Sequence, residues 1–385
     1  MTETCNVCRT PFGKPIFESG EGKSLTTMNK LINGKTTVYF CDTCQHAQTN
    51  ELPDLVDFYA NEYEINLDSE DDDQLYDVID GKEIYRSQHQ ANVLMSKIDL
   101  TRNSKVLDYG SAKAPTLRAV CKATPEIEPY LFDVTDKYVP FWEAFPTEAK
   151  WATHKPDPDW SGKMDVVLSF YALEHIPNLT EILADVKSLL KTGGYFYFIV
   201  PDMYQNAADL VVADHVNHFS HHSLWHLLAN DGFDEIEIDD TVHASAYVVS
   251  ARLSGNAASV PTKPGFPDRK SSAEELAAFW GGIKSRITAF EASVSSDVPL
   301  VIYGAGIYGH FILSCLKQPE RVIHFLDQNV YLHGIRIGDA EVIHPDKLTS
   351  ERAAILVGLN PRNARRIIEG IPALNADGRE LLFLS

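Results

Sequence analysis

The chain has 385 residues, 44% of them hydrophobic and 23% charged, with a formal net charge of −20 at pH 7. That length allows two or three units, each burying a core of its own, and the acidic balance argues against phosphate backbones and anionic lipid as partners. No run approaches the roughly 18 apolar residues of a membrane span, and the opening MTETCNVC lacks an apolar secretory core, so the expected location is the cytoplasm.

Four of the six cysteines form two Cys-x-x-Cys pairs, Cys5 with Cys8 and Cys41 with Cys44. This is the knuckle spacing of a tetrahedral thiolate site, and in a reducing compartment it points to structural Zn2+. A redox pair, or His46 as a replacement ligand, is the competing reading. The segments FESGEGKSL and YFCDTC are expected to supply strands of a zinc-ribbon-like domain over residues 1–52. Cys121 and Cys315 stand alone and read as buried apolar residues. Residues 53–100 read as a helical and acidic connection, with DSEDDDQLYDVID as a solvated loop or a lid and GKEIYRSQHQANVL as a helix. Tyr59, Tyr63, Tyr85 and Arg86 are the candidate substrate contacts there.

Residues 101–255 carry the next pattern. The apolar run in VLDYGSAKAPTL ends near Asp108, turns through Gly110 and Ala112, and continues into a helix-like stretch. Asp133 closes the following run, YLFD, and the third run, MDVVL, leads into SFYALEHIPN with Phe170, Glu174 and His175. Strand, tight turn and helix place a nucleotide cofactor at the carboxyl edge of a parallel sheet, and an acidic residue after the second strand grips ribose hydroxyls. This is the layout of a class I S-adenosylmethionine methyltransferase, an α/β doubly wound fold. Ala112 and Ala114 stand where a glycine-rich turn has glycines, so Ala112 is expected in ordinary backbone space unless the turn has changed shape. NLTEILADVKSLLKTGG predicts a helix burying Leu179, Ile182, Leu183, Val186, Leu189 and Leu190, capped by Asn178 and stopped by Gly193.

ADHVNHFSHHSLWHLL then brings together five histidines. Ser220 is a helix cap, and His222 and His226 would share a helical face, a conceivable second metal site. The loop after the fifth strand overhangs the methyl donor in this fold, so His215 is the candidate general base, with Asp214 orienting it and His218 alongside. Their alternative is hydrogen-bonded packing.

A linker at 256–272 precedes residues 273–385, in which PLVIYGAGIYGHFILSCL sets Gly304, Gly306 and Gly309 at G-x-G-x-x-G spacing and Asp327 ends the next strand. A second, Rossmann-like module is expected, too short for a catalytic domain of its own. Its glycines are candidates for contacting a nucleotide-sugar or for an interface, with bound NAD the lesser reading.

A double knuckle, then VLDYG and LEHIPN, then GAGIYG: this order resembles the nucleotide-sugar C-methyltransferases of deoxysugar pathways over nearly the whole chain. The resemblance implies zinc at the N-terminus, S-adenosylmethionine in the middle and a nucleotide-linked keto sugar near the domain junction. That family carries Tyr-His-Glu-His and then Ser-Tyr-Phe-Ser after the fifth strand. In VADHVNHFS, His215 and Phe219–Ser220 fit, Asp214 replaces the glutamate and Val212 stands at the tyrosine. The missing phenol tilts the expectation towards O-methylation or a different small acceptor. A non-catalytic nucleotide-binding scaffold, and an NAD-dependent oxidoreductase acting through GAGIYG, are the other function classes.

Overall fold

In the computed structural model the run VLDY lies in strand β1 (Lys105–Tyr109), near the centre of a seven-stranded sheet. The other strands are β2 (Glu128–Asp133), β3 (Lys150–Thr153), β4 (Met164–Phe170), β5 (Leu190–Pro201), β6 (Phe233–Asp239) and β7 (Ala246–Leu253). The structure describes residues 4–19, 22–53, 55, 73, 75–79, 82–255, 262–349, 352–375 and 379–385. The spatial order is β3-β2-β1-β4-β5-β7-β6, parallel except that β7 runs antiparallel to both neighbours. Side chains alternate between two buried layers. Leu107, Phe196 and Phe198 face one cluster and Val106, Tyr197 and Ile199 the other, which is why these strands read as continuous apolar runs.

The helix Leu179–Leu189 buries Leu179, Leu183, Val186 and Leu189, as its 3.6-residue spacing requires. The helix ends before Gly193, which lies inside β5 and does not stop it, Ile182 is only partly buried, and two further details differ from expectation. Leu190 opens β5, and the Asn178 side chain makes no cap hydrogen bond, donating instead to Glu181. Within 53–100 the described residues include a hairpin, Leu75–Ile79 paired with Lys82–Tyr85, so the helix starts only at Arg86 and runs to Lys97. Ile84 and Tyr85 in KEIY are β-branched and aromatic types that suit a strand.

The knuckle segment folds as a sheet with the order Phe17–Glu18, Thr37–Phe40, Ala47–Thr49, Asn217–His218. Its last strand comes from the histidine-rich loop after β5, which pairs His218 with Ala47 and Asn217 with Gln48. A separate hairpin joins Lys23–Leu25 to Leu31–Asn33.

The C-terminal residues form a second Rossmann-like sheet of six strands, in the order Arg336–Ile337, Ala340–Ile343, Val322–Leu326, Leu300–Tyr303, Ala354–Val357, Leu381–Phe383. Only the first pair is antiparallel. Its glycines serve close packing: a Cβ on Gly309 would meet the Gly304 carbonyl oxygen at 2.0 Å, and one on Gly304 would meet that of Gly358 at 2.3 Å. The fold is thus α/β, a doubly wound seven-stranded sheet flanked by a small N-terminal cysteine-knuckle unit and a second Rossmann-like unit. Among the described residues no helix is long and apolar enough to cross a membrane.

Candidate active site

The turn after β1 is held from both sides. Gly110 has φ +77°, and its N–H donates to the Phe132 carbonyl at 2.9 Å. Ala112 and Ala114 do not sit in ordinary backbone space: their φ values are +44° and +53°, the left-handed region a glycine would favour. The Ala112 N–H donates to Asp133 Oδ2 at 3.0 Å, and its carbonyl accepts from Trp142 Nε1 at 2.7 Å, so the neighbours over-determine the strained backbone. Ala112→Gly should stabilise the protein by about 1 kcal/mol by relieving this strain, as read from urea unfolding; no gain would mean that the strain is absent.

Carboxylates crowd this edge. Asp108 is buried and its Oδ1 has no hydrogen-bond partner among the described residues; burial, with the Asp133 charge beside it, pushes its carboxyl up to about 8. Burial also raises Asp133, although the N–H groups of Ala112, Thr135 and Val134 work the other way. Next to Asp133, Val134 is 71% exposed, an apolar surface at the mouth of the turn. Because the Asp108 pKa is higher folded than unfolded, the associated stability is full below its ordinary value near 4 and is lost as pH rises through about 8. Asp108→Asn should therefore match the parent at pH 4 and exceed it at pH 8 in urea midpoint. An equal deficit at both values would refute the assignment.

Across the sheet edge, Glu174 is almost fully buried, neither oxygen has a hydrogen bond among the described residues, and burial pushes it up to about 8 against the opposing pull of His215. The His175 Nδ1–H donates to the Asp214 carbonyl at 2.8 Å, and burial, with the His215 charge, lowers its ring to about 4. The His175 and His215 ring centroids are 4.7 Å apart, and Glu174, His175 and His215 each bring a ligand atom within 4.8 Å of the others.

The carboxylate that orients His215 is Asp209, a residue the sequence did not single out. The His215 Nδ1–H donates to Asp209 Oδ1 at 2.5 Å, and the His218 Nδ1–H to Asp209 Oδ2 at 2.7 Å. Burial opposes charge on His215, but Asp209 outweighs it and the ring rises to about 9. Burial likewise opposes the Asp209 carboxylate and is outweighed by the two histidines, which hold it well below the usual range. Asp214, expected to play this part, instead accepts from the Thr27 N–H at 2.8 Å and from its hydroxyl. The reason is the chain path: Leu25 bridges Val212, which draws the Asp214 side chain towards the N-terminal unit. His218 is buried, with Nε2 accepting from the Thr49 hydroxyl at 2.8 Å, so both ring nitrogens are engaged in packing.

Phe170 ends β4 against Tyr197, and at Tyr171 (φ +53°) the Arg86 guanidinium lies 4.0 Å from the ring centroid. The Tyr85 hydroxyl donates to Glu83. Tyr59 and Tyr63 lie outside the described residues. His222 stands 3.4 Å from Lys263 Nζ, a poor setting for a cation at His222 and His226.

The C-terminal glycines lie apart from this cluster. Ala305 N–H donates to Asp327 Oδ2 at 2.9 Å, reproducing the Ala112–Asp133 contact, and residues that follow the strand ends bond the chain's own segment 204–208. Tyr308 Oη accepts from Ala208 N–H at 3.0 Å, Asn360 Nδ2 donates to the Gln205 carbonyl at 3.1 Å, and Arg362 donates to the Tyr204 carbonyl at 2.7 Å. Trp280 Nε1 adds a bond to the Ala207 carbonyl at 2.7 Å. These contacts fix the 3-10 turn Ala207–Val211 that presents Asp209.

At the knuckle, Cys5 and Cys44 Sγ lie 3.5 Å apart, Cys8 and Cys41 Sγ 3.4 Å apart, and all four sulfurs fall within 4.8 Å of one another. Four thiolates around a cation at Zn–S distances of about 2.3 Å need roughly this spacing, so the donor set fits zinc. Cys121 and Cys315 are buried and separate, as expected.

A family model described as "Methyltransferase domain" matches residues 39–238, just over half of the chain. The chain belongs to this methyltransferase family. It is a methyltransferase enzyme on an S-adenosylmethionine-dependent fold. Among solved structures, the CurJ carbon methyltransferase is 14% identical with a TM-score of 0.37 over 44% of this chain, which spans 54% of CurJ's length. A SAM-dependent methyltransferase from Aquifex aeolicus is 16% identical, with a TM-score of 0.36 over 44% of this chain and 93% of that one. One from Mesorhizobium loti is 15% identical, with a TM-score of 0.36 over 43% of this chain and 97% of that one. No curated protein sequence matches the chain.

The residues at this edge would suit the sulfonium and ammonium charges of S-adenosylmethionine. Among the described residues, Asp108 Oδ1 and both Glu174 oxygens are buried without a partner, a setting that suits a positively charged group, and the buried acid Asp133 stands beside the exposed apolar Val134.

Proposed function

We propose that this methyltransferase modifies a nucleotide-linked sugar or a related small molecule, with His215 taking the acceptor's proton. The observation that carries the proton step is the 2.5 Å bond from His215 to Asp209. It keeps the proton of the neutral ring on Nδ1 and leaves Nε2 to accept. Bound S-adenosylmethionine would supply the activated methyl, with Asp108, Gly110, Ala112, Asp133, Phe170, Glu174 and His175 forming its surroundings. Aligning the acceptor oxygen or carbon, and removing its proton, is the protein's contribution.

The acceptor class rests on a cavity of about 300 Å³ between the two Rossmann-like units, lined by Tyr204, Arg269, Phe279, Asn360 and Arg362 among others. In a chain of net charge −20, two guanidinium groups at one junction suit a diphosphate. The unit boundaries that go with this reading are 1–52, 101–255 and 273–385, joined by 53–100 and 256–272. The Gly304, Gly306 and Gly309 turn then acts as an interface, because the residues around it grip segment 204–208.

The test is calorimetry on zinc-replete protein, titrating S-adenosylmethionine, S-adenosylhomocysteine, NAD and a panel of nucleotide-sugars. Binding of the first two and of at least one nucleotide-sugar, weakened by Arg269→Met, is the expected result. Donor binding without any nucleotide-sugar would remove the acceptor class, and NAD binding alone would overturn the whole assignment.

A further inference from the structure

Asn217 is buried and uses all four hydrogen-bonding positions of its amide on two different parts of the molecule. Its Oδ1 accepts from Asn6 Nδ2 at 2.9 Å and from His46 Nε2 at 3.2 Å. Asn6 lies inside the Cys5–Cys8 pair, and its own N–H donates to Gln48 Oε1 at 2.7 Å. His46 follows Cys44 by two residues, and its carbonyl accepts from the Cys41 N–H at 2.8 Å. On the other side, Asn217 Nδ2 donates to the Leu173 carbonyl at 2.8 Å and the Ile176 carbonyl at 2.7 Å. Those two carbonyls bracket Glu174 and His175 on the 3-10 turn Leu173–His175.

We propose that Asn217 is a positioning residue that couples the four-cysteine site to the donor-binding edge. It rests on the methyltransferase reading. With the cation holding Cys5, Cys8, Cys41 and Cys44 together, Asn6 and His46 occupy fixed places, and the amide between them has one orientation. That orientation sets the carbonyls of Leu173 and Ile176 that bracket Glu174 and His175. A buried amide with every donor and acceptor used has no alternative partner nearby, so displacement at one end leaves unpaired groups at the other. The four cysteines therefore tune donor binding as well as holding the small sheet, and the dependence must run both ways. If the cation tightens donor binding by some factor, the donor product tightens cation binding by the same factor.

The experiment measures zinc affinity by competition with a chelator, with and without saturating S-adenosylhomocysteine, and S-adenosylhomocysteine affinity by calorimetry with and without zinc. For the parent protein the expected linkage is roughly 5-fold or more in each direction, equal within error. Asn217→Asp keeps the acceptor and the shape but turns a carboxylate oxygen towards two carbonyls; the linkage should fall to about 1-fold while zinc still binds. Asn6→Ala removes one contact on the knuckle side alone, and should lower the linkage with circular dichroism unchanged even if Asn217→Asp does not fold. Zinc affinity indifferent to S-adenosylhomocysteine in the parent, or equal linkage in parent and variants, would overturn the proposal. Failure of the zinc-loaded parent to bind S-adenosylhomocysteine would instead strike the methyltransferase reading.

Discussion

Turnover is expected to fall by roughly 10²- to 10⁴-fold when His215 is replaced by asparagine, with little change in S-adenosylmethionine affinity. The residue sits on the loop after β5, its ring is fixed by Asp209 at 2.5 Å, and it lies beside Glu174 and His175. Asparagine retains a polar group of similar reach but cannot take a proton. A finer signature comes from charge. In the donor-free protein the ring is pushed up to about 9, so at pH 8 it carries a proton. A sulfonium placed nearby disfavours the imidazolium, so donor binding should expel that proton. Calorimetry at pH 8 in buffers of differing ionisation enthalpy should show proton release with S-adenosylmethionine, less with the uncharged thioether of S-adenosylhomocysteine, and little in His215→Asn. Equal release by the variant would show that the proton comes from another group, and full turnover by it would end the base assignment.

The second large effect is expected at the knuckle. Cys44→Ser should lose the metal and, with it, the sheet Phe17–Glu18, Thr37–Phe40, Ala47–Thr49. Structural zinc sites of this kind contribute on the order of 10 kcal/mol of folding free energy, far more than the few apolar residues around the cysteines can replace. Because Asn217–His218 is the fourth strand of that sheet, damage should spread to the loop bearing His215. The measurements are metal content, thermal melting and turnover on one preparation. Metal loss with melting and turnover intact would show that the knuckle is dispensable.

The sequence disclosed what is written locally. VLDY, YLFD and MDVVL announce parallel strands because both faces are buried, and Ser220 caps the helix His221–Asn230 because Ser223 lies three residues on. The partners of the candidate base were hidden for a different reason. Asp209 sits in AADLVV, an apolar stretch whose one acid looks incidental until Trp280 and Tyr308, some 70 and 100 residues on, shape the turn that aims it. The spacing Asp-x5-His-x2-His was the available signal, since both rings share that carboxylate. Likewise GAGIYG reads correctly as strand, turn and helix, but nothing local tells that Tyr308, Asn360 and Arg362 bond segment 204–208. The left-handed alanines escaped because strain at Ala112 is tolerated only through Asp133 and Trp142, both distant in sequence.

The four-stranded knuckle sheet also sets an order of events on the ribosome. The edge Ala47–Thr49 emerges early, whereas its neighbouring strand lies 171 residues later, counted from His46 to Asn217. At elongation rates of about 5–20 residues per second, that edge waits roughly 10 to 30 s with its backbone groups unpaired. Nascent chains stalled before residue 217 should be the aggregation-prone and chaperone-dependent species, and release should coincide with synthesis of the histidine-rich loop.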